Sequence, residues 1–167
     1  IWGFSCKTPN GTSPKTMFER MKEGVEQIEN SSAEKGAVYF NFRNVIDHDR
    51  TWPTFPLGSS STQPERLTYQ IWPDSQQIEA YLRDLVDEKN GEMLMEIGPR
   101  NVQNLFVGKK SIPGAMVFLE TATAVQSVDG PFVTTVGISA IMEFGDIALH
   151  DRQILQRIQY ARRDSYG

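Results

Sequence analysis

The order of the first 46 residues constrains this chain most: a short apolar strand, an amphipathic helix and a second apolar strand. In "WGFSCK", residues 2–7, the two-residue period of an extended backbone puts Trp2, Phe4 and Cys6 on one face. Gly3, Ser5 and Lys7 fall on the other face. "TPNGTSP" is a turn-forming stretch, after which Ser13 offers an N-cap and Pro14 a first helical residue. From Pro14 to about Asn30, Phe18, Met21, Val25 and Ile28 recur at the spacing of one buried helical stripe. "NSSAEKG" ends that helix, and a strand is predicted over Ala37–Ile46. Val38, Phe40, Phe42 and Ile46 form its apolar face, and Tyr39, Asn41 and Arg43 its other face.

The remainder continues the alternation. "DHDRTWPTFPLGSSSTQPE" has three prolines and a serine run, and reads as a long surface loop. "RLTYQIWP" is a short strand candidate, and Asp74 or Ser75 caps a second helix whose stripe is Ile78, Tyr81, Leu82, Leu85 and Val86. That helix is predicted to end near Asn90-Gly91, and "GEMLMEIGPRNVQNLF" fits either helix or irregular structure. "PGAMVFLETATAV" and "FVTTVGISAIMEF" are two long strands, with Asp129-Gly130 as the hairpin signal within 114–146. A last helix runs from Ile147 to about Arg163. The class is mixed α/β, a mixed sheet flanked by helices.

At 167 residues the chain has the size of one domain and can bury a core without staples. A single cysteine forms no internal disulfide, which points to a reducing, cytoplasmic setting. No apolar run is long enough to span a bilayer, so no membrane partner is expected. A net charge of −4 argues against indiscriminate coating of nucleic acid, but an acidic body can still carry a local basic groove. The chain opens on Ile1, directly inside a strand, as a fragment or processed chain does.

The phrases "SCKTP", "EGVEQI" and "KGAVYFNF", in the order strand, helix, strand, resemble the PD-(D/E)XK nuclease superfamily. The resemblance covers roughly the first 50 residues. It implies a restriction-endonuclease-like core of which 1–50 is the second half, its first half lying upstream, with 51–167 completing the same domain. It also implies metal-dependent hydrolysis of nucleic-acid phosphodiesters, with magnesium as cofactor and nucleic acid as partner. In that family a carboxylate and a lysine stand two residues apart on one strand, so that both converge on one phosphate. Lys7 matches the lysine, and Ser5 stands where the carboxylate is expected. Serine is a poor magnesium ligand, so a second reading is a catalytically degenerate nuclease fold that binds nucleic acid or protein.

Carried over residue by residue, the resemblance implies a glutamine on the helix near the site (Gln27), a backbone-carbonyl metal ligand (Cys6), and a substitute carboxylate from the helix (Glu19 or Glu23). The helical wheel opposes the last of these, because Glu19 and Glu23 lie about 150° or more from the centre of the stripe. Gln27 also lies well off the stripe, and the Cys6 side chain is expected to be buried on the helix side. Arg43, on the polar face of the second strand, is a candidate phosphate ligand. Lys109 and Lys110 of "GKK" are candidate backbone contacts. Asp47, His48 and Asp49 would alternate sides on an extended chain and so do not chelate one ion. His150-Asp151 reads as a helix-side polar contact, and Trp52 and Trp72 as packing residues. Phosphate-binding glycine loops, nucleophile elbows and zinc-ligand spacings are missing from the sequence.

Overall fold

The computed structural model describes residues 1–11, 13–45, 55–60, 63–70, 75–127 and 130–164. Its elements in chain order are β1 (Trp2–Lys7), α1 (Pro14–Glu29), β2 (Lys35–Asn41), β3 (Phe55–Ser60), β4 (Gln63–Gln70), α2 (Ser75–Glu96), α3 (Pro99–Asn104), β5 (Ser111–Ser127), β6 (Gly130–Glu143) and α4 (Leu149–Asp164). This is the mixed α/β class read from the sequence. β1 and β2 pair in parallel, from Trp2↔Lys35 to Lys7↔Phe40, and β2 pairs in parallel with β5. β6 runs antiparallel along β5 from Gly114↔Glu143 to Ser127↔Gly130. The opposite edge of β5 is therefore shared: β2 takes its first half, and β4 pairs farther along at Tyr69↔Gln126 and Gln70↔Val125.

Helices cover both faces. Met17, Met21, Val25 and Ile28 of α1 pack with Ile78, Leu82 and Val86 of α2 on Val38, Phe40, Ala115 and Val117. On the other face, Leu155 of α4 joins Ile147, Ala37, Ile112 and Met116. Burying each large side chain is worth about 1.5–3 kcal/mol. Among the described residues, no helix is long and apolar enough to cross a membrane.

α1 starts where its capping chemistry predicts. The Ser13 side chain accepts from the Thr16 N–H, and Pro14 opens the first turn. Its far end is closed by Lys110, whose Nζ donates to the carbonyls of Glu29 (3.0 Å) and Ser31 (3.1 Å). The buried face differs from the predicted stripe. Met17, Met21, Gly24, Val25 and Ile28 are buried, while Phe18 is only partly so. Gly24 is the point of closest approach: a Cβ there would lie 2.8 Å from Val38 Cγ2 and 3.4 Å from Ser5 Oγ. Counting Gly24 and Met17 turns the buried face by roughly 35° at 100° per residue, towards Gln27 and Glu23.

Several sequence expectations are corrected. β2 ends at Asn41 rather than Ile46, because the Asn41 side chain accepts from the Arg43 N–H and turns Phe42–Asn44 into a single 3₁₀ turn. Ile46 lies outside the described residues. α2 runs past Gly91 to Glu96, burying Met93 as it goes. The predicted loop contains β3, an edge strand where a proline is tolerated. Gly130 is paired in β6 instead of forming the turn, and Asp129 lies outside the described residues. Ile147 is buried ahead of α4. Asp151 is buried and paired with Lys35 at 2.5 Å, a helix-side contact as expected, while His150 is exposed.

Gly24→Ala is expected to destabilise the fold by about 1–2 kcal/mol. Overpacking against Val38 costs about 1–3 kcal/mol, and alanine's better helix propensity returns at most about 1 kcal/mol. Urea unfolding of the two proteins measures the difference.

Candidate functional site

α1 packs on the Gly3, Ser5, Lys7 face of β1, not on the Trp2, Phe4, Cys6 face. The small residues explain this choice: a Cβ on Gly3 would meet the Ala33 Cβ at 2.8 Å, and Ser5 sits buried under Gly24. Cys6 is consequently exposed on the far face, correcting the expectation that its side chain is buried on the helix side.

Beside Gly24, five polar side chains meet at the C-terminal end of β1. Ser5 Oγ donates to Gln27 Oε1 at 2.6 Å, and Lys7 Nζ donates to the same oxygen at 3.0 Å. Both facts orient the amide. An ammonium can only donate, so the oxygen of Gln27 faces β1 and its NH₂ group is not used in this network. Lys7 Nζ also lies 3.6 Å from Glu23 Oε2, and Arg20 Nη1 donates to both Glu23 oxygens at 3.1 and 2.9 Å. Glu23 is one turn from Gln27, so the two share an edge of α1. The Lys7 side chain is only 11% exposed: its stem is packed and its tip reaches this network.

The Arg20 guanidinium, hydrogen-bonded to Glu23, holds that carboxyl below the usual glutamate range. Partial desolvation opposes the shift, and the charge of Lys7 adds to it. Two cations thus share one carboxylate, leaving the group with one net positive charge. Ser5 contributes a donor and Gln27 a neutral amide. Magnesium does not fit the set: a small dication takes carboxylate and other oxygen ligands, and the one carboxylate here is already neutralised. Among the described residues, no three His, Cys, Asp or Glu side chains gather to hold a metal ion.

The other candidates are dispersed. Glu19 is exposed and stands outside the hydrogen-bonded group. Arg43 is exposed on the turn after β2 and not on the strand's polar face; Asn44 Nδ2 bonds Asn10 Oδ1 at 3.0 Å and ties that turn to the loop after β1. Arg43 and Lys7 therefore stand at the same end of the parallel pair. Lys109 and Lys110 precede β5 at the opposite end, where Gly36 N–H bonds the Lys110 carbonyl. β2 separates the two ends by about 20 Å, six rises of a strand. Lys110 is occupied in closing α1. Sequence reasoning missed the Arg20–Glu23–Lys7 chain, although Arg20, Glu23 and Gln27 at spacings of three and four announce one helix edge. Asp47, His48 and Asp49 lie outside the described residues. The chain matches no family model, no curated protein and no solved structure.

Because the folded-state pKa of Glu23 is depressed, its contribution to stability is present above the unfolded glutamate value. It is lost as pH falls through the lower folded value. Arg20→Gln is expected to move the Glu23 titration midpoint upwards, towards the ordinary glutamate range. Side-chain carboxyl NMR reads that midpoint directly, and an unmoved value would show that Arg20 does not set it.

Proposed function

We propose that this chain is a nuclease-like domain that binds nucleic acid through its phosphodiester backbone, with Lys7 as the central phosphate ligand. One observation carries the reading. Lys7 is held at the C-terminal end of β1 by Gln27 and Glu23, in a group of net positive charge. An ammonium has three donors; Gln27 takes one and Glu23 engages a second, so one remains for a phosphate oxygen. Arg20 and the amide NH₂ of Gln27 add further donors. Arg43 stands at the same end of the sheet, outside the carboxyl ends of parallel strands, where ligands of open α/β sheets commonly bind.

The resemblance to the PD-(D/E)XK superfamily supports the same reading at the level of architecture. Its strand–helix–parallel strand order and its serine–lysine pair with a glutamine on the helix are the features these residues share. The charge of the cluster favours binding over metal-assisted hydrolysis on the described residues. The degenerate, binding form of the fold is therefore the conclusion drawn here.

Lys7→Met keeps the stem and removes the charge. Losing a charge-assisted hydrogen bond of about 1.5–3 kcal/mol should weaken binding of a fluorescent oligonucleotide roughly ten- to hundredfold in fluorescence anisotropy, in the presence of chelator. Equal binding by both proteins would remove Lys7 from the site. Cleavage of the oligonucleotide on adding magnesium, lost in Lys7→Met, would instead establish the hydrolytic reading.

A further inference from the structure

Glu23 stands between two cations, and its two contacts are unequal. Arg20 Nη1 donates to both of its oxygens, at 3.1 and 2.9 Å. Lys7 Nζ lies 3.6 Å from Oε2 alone. Charge-assisted N–H···O bonds run to about 2.7–2.9 Å, so Arg20 grips the carboxylate while Lys7 holds it loosely. The partners also differ in freedom. The Lys7 side chain is 11% exposed, with its stem packed and its ammonium bonded to Gln27 Oε1 at 3.0 Å. Glu23 and Arg20 are 46% and 50% exposed, on the outer edge of α1. Lys7 is therefore the fixed member of the group, and the Arg20–Glu23 pair is the one with room to change rotamer.

To an ammonium, a carboxylate oxygen and a phosphate oxygen are the same kind of partner: an anionic acceptor. Both cannot take one donor. Of the three donors of Lys7, Gln27 holds one and Glu23 engages another, so a phosphodiester gains a second donor only if Glu23 gives way. Giving way leaves no carboxylate unpaired, because Arg20 already bonds both oxygens. The contact that breaks is long and half-exposed, and such ion pairs contribute little. The bond that replaces it is made by a packed lysine held in place on β1. We infer that Glu23 is a built-in competitor for phosphate at Lys7: it covers one donor of the ammonium until a backbone phosphate displaces it, and Arg20 then retains it. This rests on the phosphate-binding reading above and names how that site is regulated.

Fluorescence anisotropy of a fluorescent oligonucleotide in chelator tests this on the intact chain, with far-UV circular dichroism confirming the fold of each variant. Glu23→Gln keeps the shape of the side chain and removes its charge. Binding is expected to tighten about two- to fivefold, the scale of an exposed ion pair. Glu19→Gln removes the same charge one turn earlier on α1, outside the hydrogen-bonded group, and is expected to act by a clearly smaller factor. In a Lys7→Met background the gain from Glu23→Gln should vanish, because the competition acts through Lys7. An equal gain from Glu19→Gln, or an undiminished gain in Lys7→Met, would reduce Glu23 to one negative charge among others. Unchanged or weaker binding by Glu23→Gln would make it a support for Lys7 and not its competitor. Each of these results overturns the inference and, where Lys7→Met still weakens binding, leaves the phosphate site standing. If the native chain does not bind the oligonucleotide, or Lys7→Met binds it equally well, the phosphate site itself falls, and this inference with it.

Discussion

The contact between Gly24 and the β1–β2 pair is the constraint on which the rest depends. A helix crossing between two parallel strands must lie against them, and how closely it lies sets which of its side chains reach the strand ends. Gly24 has no side chain to hold α1 away, so Val38 and Ser5 come directly beneath the helix backbone. That proximity brings Gln27 Oε1 within 2.6 Å of a serine on β1. It also aligns the Arg20–Glu23–Gln27 edge with Lys7. One missing methyl group therefore links the packing of the core to the chemistry at its border.

The two faces of β1 differ in chemistry. One face holds a cluster of donors with a net positive charge, partly sheltered so that its electrostatics are stronger than they would be in open water. The other holds apolar rings at the surface, where hydrophobic area is left uncovered. Alternation of side chains along a strand makes this division unavoidable. The overall acidity of the chain is compatible with a locally positive cluster, because the field beside a group depends on the charges near it and not on their sum.

Much of the fold was legible. The N-cap at Ser13, the Pro14 start, the strand order at the N-terminus and the long hairpin follow from local rules, and local rules are what a sequence displays. Errors arose where a polar side chain or a tertiary contact overrode periodicity. Asn41 ended β2 through a hydrogen bond to its own chain two residues on, which apolar spacing could not show. Gly91 did not stop α2, whose far end is held by buried Met93. Proline in β3 looked like loop chemistry because the sequence does not reveal which strands lie at an edge.

For the site, the sequence by itself determined the types of residue and their placement on elements: a serine and a lysine on one strand face, and a glutamate and a glutamine one turn apart on the next helix. Only the tertiary structure decided that they meet. A hydrophobic wheel gives glycine no weight, so it placed Gln27 and Glu23 too far round the helix. In three dimensions the smallest residue is where two elements approach most closely, and the buried face turns towards it. Likewise, alternation set Phe4 and Cys6 on one face of β1, but whether that face became core or surface depended on where α1 and α4 came to rest. Periodicity specifies which residues share a side; packing between distant segments specifies which side is covered.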